Sequence, residues 1–581
     1  MSDPETVNGG RHVALALQAL GVGCVYTLCG GHISPILVAA RALGIRVIDV
    51  RDEAAAVFAA DAAARLTGTP GVALVTAGPG VSNTLTALKN AQLAQSPLIL
   101  IGGAAPTALQ GRGALQDIAQ RPLVAPHVKA CRLVRKVADL APAVLWAYRL
   151  ARSGLPGPVF IECPVDLLYD ESTIRGWYAE AQARGAGVAE RLQRWYLKRH
   201  VRRLFAGSRP TPVLAPSAAS VDRVAEAALL RAAAALRASQ RPLLLVGSQA
   251  LAEPQQAAQI AAAIDTLGVP VYLSGMARGL LGRAHPRQLL HQRRQALRES
   301  DCVLLAGVPC DFRLDYGRHI RRSATLVGAN RCAREARLNR RPDVAAIGDV
   351  GDFLQRLAAH LGGTTARPDW LATLRARDVE WETAITAEAA QSGRCVNPVA
   401  LLRAIDHIAG ADAIFVADGG DFVATAAYTL RPRHPLGWID PGVFGTLGVG
   451  GGYAIGAASM HPGGEVWLLW GDGACGFSIA EMDTLARHRL PVIAVVGNDA
   501  GWTQIAREQV KMLGDDVGTV LARSDYQRVA EGFGAVGLLI RSNDEIAPVL
   551  AEARAIAAEG RPVLVNVWLE RSNFRDGSIS M

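Results

Sequence analysis

Two aspartates follow apolar runs near the C-terminus. Residues 465–470 (EVWLLW) lead into Gly471-Asp472-Gly473, and residues 491–497 (PVIAVVG) lead into Asn498-Asp499. A bare carboxylate at the end of a buried strand is unfavourable unless its charge is compensated. Because the strands of a parallel β-α-β unit finish at the same sheet edge, we expect Asp472 and Asp499 to lie side by side. A hard divalent cation such as Mg²⁺, shared with a phosphate, would satisfy both carboxylates.

The residues around Asp472 suit the phosphate itself. Gly471 and Gly473 let a ligand approach the backbone, and the N–H groups of Gly473 and Ala474 open the helix predicted next. The residues therefore predict a magnesium–diphosphate anchor. A chance match of two strand ends is the alternative that this pattern leaves open.

A third acidic residue stands at another predicted strand-to-helix junction. Glu53 begins the helical segment EAAAVFAADAAARL, and Arg51 and Asp52 separate it from the predicted strand RVIDV. A carboxylate in the first turn is favoured by the helix dipole, which explains most acids at such positions. Glu53 is therefore either a helix-start residue or part of a site.

Three blocks of alternating strand and helix patterns must position these residues. We predict an α/β fold with three tandem doubly wound parallel-sheet domains. The predicted domains are residues 1–185, 239–363 and 397–572, with linkers at 186–238 and 364–396 and a C-terminal tail at 573–581.

The first linker contains a basic amphipathic segment, residues 190–207 (ERLQRWYLKRHVRRLFAG). Leu192, Trp195, Tyr196, Arg199 and Arg203 share one helical face in this segment. Such a helix either packs on its own domains, which is the commoner arrangement, or makes a peripheral contact with an anionic membrane.

Composition limits the function classes. Half of the 581 residues are apolar and 19% are charged, which is typical of a folded α/β protein. No apolar run approaches the roughly 18 residues of a membrane span. The N-terminus has no secretory signal pattern, and the nine cysteines form no CxxC pair, so we expect a cytoplasmic protein. The net charge of +9 favours an anionic partner, but without a nucleic-acid-binding motif we expect a small molecule rather than nucleic acid.

The GDG motif followed by an Asn-Asp pair resembles the diphosphate-binding signature of thiamine diphosphate enzymes. The segment from Glu53 through TAGPGVSNTLTALKNAQ is similar to the pyrimidine-binding domain of the acetolactate synthase and oxalyl-CoA decarboxylase superfamily. Stretches such as GMARGLLGRAHP, CDFRLDYGR and the C-terminal FRDGSI most resemble its acetolactate-synthase-like 2-hydroxyacyl-CoA lyases. The resemblance covers nearly the whole chain.

This resemblance implies thiamine diphosphate and Mg²⁺ as cofactors. Mg²⁺ would be bound by the side chains of Asp472 and Asp499 and by the carbonyl of Gly501. Glu53 would activate the aminopyrimidine, which Gly445 and Leu447 would hold. The further coenzyme-binding residues implied are Gly420, Asp421, Phe422, Gly471, Gly473, Ala474 and Trp502. Many family members carry Asn where this chain has Asp499, so this site has one more negative charge.

The implied reaction is the reversible cleavage of a 2-hydroxyacyl-CoA to formyl-CoA and an aldehyde or ketone. Gln116 would donate a hydrogen bond to the reacting carbonyl, and His32 would relay the hydroxyl proton. Arg278 and Arg283 would bind CoA phosphates, and the tail at 573–581 would form a lid. The family's shared coenzyme sites imply at least a homodimer and commonly a tetramer.

Other functions remain open at this point. The nearest alternatives are an acetolactate-synthase-like carboligase or decarboxylase that uses 2-ketoacids, and an oxalyl-CoA decarboxylase. A non-catalytic paralogue would be expected to have lost Glu53 or Asp472, and both are present.

Overall fold

The computed structural model describes residues 8–180, 187–208, 222–363, 367–572 and 574. The chain divides into two compact units: Met1–Ala64 with Thr69–Ala219, and Arg65–Gly68 with Ser220–Met581. The tail predicted at 573–581 lies outside the described residues, apart from Phe574.

The first unit is built around one parallel sheet. Its strands are β1 (Cys24–Thr27), β2 (Arg46–Asp49), β3 (Gly71–Val75), β4 (Leu98–Ala104), β5 (Cys131–Leu133) and β6 (Pro158–Pro164). Its helices are α1 (Gly9–Ala19), α2 (Ser34–Ala42), α3 (Glu53–Thr67), α4 (Pro79–Ser82), α5 (Leu85–Leu93), α6 (Gln120–Val124), α7 (Leu140–Arg152), α8 (Glu171–Glu180) and α9 (Val188–Leu204). The strand order is β2-β1-β3-β4-β6-β5. The central strands β3 and β4 are buried along their whole length, which explains their unbroken apolar sequences.

The second unit contains two parallel sheets, of which the first follows directly in the chain. Its strands are β7 (Pro242–Val246), β8 (Val271–Leu273), β9 (Gln288–Leu289), β10 (Cys302–Ala306), β11 (Thr325–Asn330) and β12 (Val344–Ile347). The accompanying helices are α10 (Glu226–Ala238), α11 (Ala257–Leu267), α12 (Arg293–Glu299), α13 (Ala333–Ala336), α14 (Val350–Leu361) and α15 (Pro368–Ala389). The order is β12-β11-β10-β7-β8-β9, so the winding reverses between β7 and β10.

The last sheet has the same winding as the first. Its strands are β13 (Ile414–Asp418), β14 (Trp438–Ile439), β15 (Val466–Gly471), β16 (Val492–Asn498), β17 (Val536–Ile540) and β18 (Val563–Trp568). Its helices are α16 (Pro398–Ile408), α17 (Asp421–Thr429), α18 (Val449–Met460), α19 (Asp472–Ser478), α20 (Glu481–Arg487), α21 (Thr503–Leu513), α22 (Tyr526–Gly532) and α23 (Ile546–Ala558). The order β14-β13-β15-β16-β18-β17 places the switch of winding direction between β13 and β15, where ligands bind in such sheets.

Three parallel six-stranded sheets with interleaved helices confirm the predicted fold class. Both segments predicted as linkers contain helices. Leu229 and Leu236 of α10 belong to the same apolar cluster as Leu244 of β7, and Trp370 of α15 donates a hydrogen bond to the carbonyl of Pro242. These helices therefore contribute to the folded core of the second unit.

Within the described parts of the chain, no helix is both long enough and apolar enough to cross a membrane.

Candidate active site

The last sheet brings Asp472 and Asp499 to one edge. Strands β15 and β16 pair in parallel with Gly471 opposite Gly497, so the two aspartates follow neighbouring strand ends. Asp472 is buried, and its carboxylate accepts hydrogen bonds from the backbone N–H of Gly473 (2.8 Å) and of Gly501 (3.1 Å). The loop after β16 thus folds onto the loop after β15, as the parallel crossover predicts.

Both carboxylates are in an environment that disfavours their charged form. Burial, followed by the negative charge of Asp499, raises the pKa of Asp472 to about 7. Burial also raises the pKa of Asp499, and Asp421 adds to this effect while Arg571 opposes it. Two partly desolvated carboxylates repel each other unless a cation compensates them.

The donor set fits Mg²⁺. The two side chains offer carboxylate oxygens, and Gly501 adds a backbone carbonyl in the same loop; hard cations prefer oxygen ligands of this kind. Among the residues that the structure describes, no group of three or more His, Cys, Asp or Glu side chains is placed to hold a metal ion. A magnesium site here would therefore depend on a backbone oxygen and on the ligand's own phosphates.

Glycines allow the segments around Asp472 and Asp499 to pack closely. A Cβ atom on Gly473 would lie 2.4 Å from ring carbons of Trp502, so the indole packs directly against the GDG turn. A Cβ atom on Gly419 would lie 2.8 Å from the amide nitrogen of Gly471. The turns after β13 and β15 thus approach more closely than side chains would permit.

Asp418, which the sequence analysis did not select, orders the adjacent glycine-rich loop. This fully buried carboxylate accepts hydrogen bonds from the N–H groups of Gly448 (3.2 Å) and Gly450 (2.7 Å) and from the indole of Trp470 (3.2 Å). Its burial raises its pKa to about 6. Asp418 fixes the start of α18 and hence the loop that carries Gly445 and Leu447.

Residues 418–422 (DGGDF), which include the predicted coenzyme-binding residues Gly420, Asp421 and Phe422, lead into α17. Asp421 forms an ion pair with Arg507 at 2.8 Å. Phe422 is buried in the core of this sheet, where a Cβ atom on Gly497 would lie 2.5 Å from its ring. Gly420 faces Gln504, because a Cβ atom there would lie 3.3 Å from the Gln504 amide oxygen. Phe422 packs in the core behind the end of β16, and Gly420 and Asp421 lie at the sheet edge itself.

Glu53 lies at the matching edge of the first sheet. It is buried at the start of α3, and its Oε2 accepts a hydrogen bond from Asn83 Nδ2 at 3.0 Å. Its Oε1 would lie 3.5 Å from a Cβ atom on Gly80. Helix α4 and Asn83, the residue that follows it, therefore position Glu53. Asn83 donates to one carboxylate oxygen, and Gly80 lies beside the other.

His32 belongs to the same edge, because its Nδ1 lies 3.2 Å from Thr76 Oγ1 and Thr76 in turn packs against Gly80. Burial lowers the pKa of His32 below its ordinary value, so the imidazole is neutral at pH 7. A Cβ atom on Gly103 would lie 2.4 Å from the His32 Cβ, which shows how tightly β4 packs against this residue.

Gln116 reaches this edge through a strained backbone. Its φ of 62° is in the left-handed region, and its backbone oxygen would lie 2.7 Å from a Cβ atom on Gly78. Gln120, which the sequence analysis missed, is buried below it and accepts a hydrogen bond from Gly78 N at 2.8 Å. Gln120 also donates to the carbonyl of Gly103 and to Glu162, both at 3.0 Å. His32, Gln116 and Glu53 thus lie beside Thr76, Gly78 and Gly80, respectively, in the segment that follows β3.

Arg278 and Arg283 lie elsewhere, in the second unit. Arg278 donates to the carbonyl of Ala427 at 2.6 Å and lies over the ring of Trp438, with 5.1 Å between the guanidinium carbon and the ring centroid. Arg283 forms an ion pair with Asp406 at 2.7 Å. Both side chains have structural partners, and their assignment to CoA stays a prediction.

Three family models match the chain. The model described as "Thiamine pyrophosphate enzyme, N-terminal TPP binding domain" matches residues 7–123. The corresponding central-domain model matches residues 229–357, and the C-terminal TPP binding domain model matches residues 418–567.

Full-length relatives agree with these models. The chain is 48% identical over 581 residues to human 2-hydroxyacyl-CoA lyase 2, covering 99% of this chain and 92% of that protein. It is 47% identical to the protein of that name from Caenorhabditis elegans, covering 99% and 91%. It is 34% identical to acetolactate synthase large subunit IlvG of Mycobacterium tuberculosis, covering 98% and 97%. The chain therefore belongs to the thiamine pyrophosphate enzymes, and thiamine diphosphate is its coenzyme.

Proposed function

We propose that this protein is a 2-hydroxyacyl-CoA lyase, which reversibly cleaves a 2-hydroxyacyl-CoA to formyl-CoA and an aldehyde or ketone. One observation carries the choice of substrate: identity over nearly the full chain is 44–48% to proteins named 2-hydroxyacyl-CoA lyase 2, against 34% to acetolactate synthases. The forward reaction breaks a carbon–carbon bond, and the reverse reaction forms it.

The proposed coenzyme anchor is the edge of the last sheet. Asp472 and Asp499, with the carbonyl of Gly501, would bind Mg²⁺, and the backbone around Gly473 would face the diphosphate. The buried, mutually repelling carboxylates and the close packing of Trp502 on the GDG turn support this assignment. Gly445 and Leu447, on the loop that Asp418 orders, would hold the aminopyrimidine.

Thiamine diphosphate, when bound, supplies the carbon nucleophile and the electron sink that carbon–carbon cleavage requires. The protein residues hold and move protons around it. Glu53 would hold a proton on its carboxylate for the aminopyrimidine, with Asn83 fixing Oε2. His32 would take the proton of the substrate C2 hydroxyl at Nε2, because its Nδ1 faces Thr76 and its lowered pKa keeps it neutral. Gln116 would orient the thioester carbonyl through its amide N–H.

For CoA we propose a basic cavity of about 410 Å³ in the second unit. Its lining includes five arginines: Arg278, Arg293, Arg294, Arg313 and Arg431. Burial lowers the pKa of both Arg278 and Arg293, and the neighbouring Arg313 adds to the effect at Arg293. Clustered, partly desolvated guanidinium groups favour an anionic ligand, and the phosphates of CoA are one.

Replacing Arg294, an exposed residue of this lining, tests the CoA cavity. We expect Arg294→Gln to raise KM for the CoA thioester about tenfold with kcat unchanged, because the lost charge-assisted contact is made equally in the bound substrate and in the transition state. Steady-state kinetics measure both constants, and Arg337→Gln, at an exposed position outside the cavity lining, is the control. A KM equal to that of the control would exclude Arg294 from CoA binding.

The lyase proposal is tested by offering the full-length protein, with thiamine diphosphate and Mg²⁺, a panel of 2-hydroxyacyl-CoAs, oxalyl-CoA and 2-ketoacids. Formyl-CoA and aldehyde from the first class support the proposal. CO₂ released from pyruvate alone, or from oxalyl-CoA alone, would contradict it and favour the corresponding alternative enzyme.

We also propose at least a homodimer and a reducing compartment such as the cytoplasm. The dimer follows from the family resemblance, in which two subunits share each coenzyme. The compartment is supported by nine free cysteines, five of them buried.

A further inference from the structure

Helix α9 is docked on the first unit by one of its faces. Val201 is buried in a cluster with Ile174 and Tyr178, and Leu204 is buried in the main core of that unit. His200 adds a polar anchor, because its Nε2 lies 2.7 Å from Thr107 Oγ1. The helix is therefore held in a fixed orientation by residues from its C-terminal half.

The opposite face carries the aromatic and aliphatic residues of the basic segment. Val188, Leu192, Trp195 and Tyr196 are 75%, 61%, 59% and 54% exposed, respectively. Their spacing of four, three and one residues places them in one stripe along the helix. A contiguous group of large exposed apolar residues on a folded protein indicates a contact surface.

Cations surround this stripe. Residues 188–204 contain Arg191, Arg194, Lys198, Arg199, Arg202 and Arg203, but a single acidic residue, Glu190. Arg199 lies over the indole of Trp195, with 5.6 Å between the guanidinium carbon and the ring centroid. The exposed face of α9 therefore combines an apolar stripe with a high density of positive charge.

The positive charge of the exposed α9 face favours one of two candidate binding partners, a second copy of the chain or an anionic lipid surface. A second copy of the chain, docked through the same face about a twofold axis, would bring two sets of cations together and be opposed by their repulsion. An anionic lipid surface complements the cations and also accepts the apolar stripe. Tryptophan and tyrosine rings are favoured at the level of lipid headgroups, and arginines can reach the phosphates beside them.

We propose that the exposed face of α9 rests on an anionic lipid surface, with Leu192, Trp195 and Tyr196 inserted at headgroup level. The contact is peripheral and reversible, since a single amphipathic face of this length binds without spanning the bilayer.

Vesicle co-sedimentation with the full-length holoenzyme tests this proposal. We expect the wild type to bind vesicles of phosphatidylcholine with phosphatidylglycerol, and not vesicles of phosphatidylcholine alone. The double variant Leu192→Ser/Trp195→Ser should lose at least about fivefold in bound fraction, because its insertion is removed. The variant Arg199→Gln/Arg203→Gln should lose a similar amount, because the attraction of each cation to the anionic surface is removed.

A matched control is Leu230→Ser/Arg231→Gln, an exposed apolar–cation pair on α10. It should bind vesicles like the wild type. Formyl-CoA release should be unchanged in all three variants, which shows that they are folded. The proposal is overturned if the wild type does not bind anionic vesicles, or if both α9 variants bind them as well as the control does. It is also overturned if the α9 variants change the oligomeric state in size-exclusion chromatography, because the face would then join two copies.

Discussion

Asp472 and Asp499 are carboxylates at buried strand ends, where each would be destabilising alone. Burial raises the pKa of both; Asp499 adds to the effect at Asp472, and Asp421 adds to it at Asp499. The arrangement makes physical sense once a divalent cation is shared between them.

His32 is the residue for which the structure predicts a pH dependence. Burial lowers its pKa, so the neutral form that accepts a proton persists on the acidic side of its ordinary value of 6.5. We therefore expect kcat for 2-hydroxyacyl-CoA cleavage to stay level through neutral pH and to fall only below pH 6.5 as His32 becomes protonated. His32→Gln should lower kcat by about 10²–10⁴-fold and remove this acidic limb.

A pH profile of kcat for the wild type and His32→Gln measures both effects. His360→Gln, at an exposed histidine of α14, is the control and should keep the wild-type profile. If His32→Gln retained the wild-type kcat and the same acidic limb, the relay would have to be assigned to another group.

Among individual residues, those that belong to recognisable motifs could be predicted from the sequence, and most of those that support them could not. Asp472, Asp499 and Glu53 follow strands and begin helices, so their positions could be anticipated. Asn83, Gln120 and Asp418 act on those residues or their loops from distant positions in the chain. Nothing in the local sequence of Asn83 or Gln120 distinguishes them from ordinary polar residues, because their roles depend on tertiary contacts. Asp418 ends a buried apolar run, so the signal that selected Asp472 could also have selected it.

Among the elements, the junction between β13, β15 and α18 is the most tightly packed part of the site. A Cβ atom on Gly450 would lie 2.2 Å from Trp470 Nε1 and 2.9 Å from the Asp418 carboxylate. We expect Gly450→Ala to lower the free energy of unfolding by about 1–3 kcal/mol, because the overpacked indole and carboxylate must shift. The shift should also weaken thiamine diphosphate binding, because Asp418 orders the loop of Gly445 and Leu447.

Gly476→Ala is the matched control, since a Cβ atom on this exposed helical glycine meets nothing within 4 Å. It should leave stability unchanged or raise it by up to about 1 kcal/mol through helix propensity. Denaturant unfolding and coenzyme titration compare the two variants. Equal stability and equal coenzyme affinity in both would contradict the packing assigned to Gly450.

Elements with long apolar runs were predictable, and short or interrupted ones were not. Strands β3, β4, β15 and β16 follow unbroken apolar sequences. The chain after β3 forms two helices, α4 and α5, and the helix predicted after Asp472 is divided into α19 and α20.

For the whole molecule, the family resemblance implies that Glu53 of one subunit and Asp472 of another serve the same coenzyme. Glu53→Gln and Asp472→Asn should each lower activity by at least about 10²-fold. When the two variants are co-expressed, half of the dimers should be mixed, and one of the two sites in each is intact. Activity should therefore recover to roughly a quarter of the wild-type value.

The measurement is the specific activity of the co-purified mixture, with separately purified and unmixed variants as the control. Recovery well above the unmixed controls supports shared sites. No recovery, in a mixture shown by mass spectrometry to contain mixed dimers, would mean that each chain completes its own site.

The most direct test of the central claim, that this chain uses Glu53 to drive thiamine diphosphate-dependent cleavage of 2-hydroxyacyl-CoA, is formyl-CoA release by Glu53→Gln. The assay is run at saturating coenzyme and Mg²⁺, with coenzyme binding measured in parallel. We expect turnover to fall by about 10²–10⁴-fold while the coenzyme still binds, because the Gln amide cannot exchange a proton with the coenzyme as a carboxyl group can. Undiminished turnover in that variant would contradict the account.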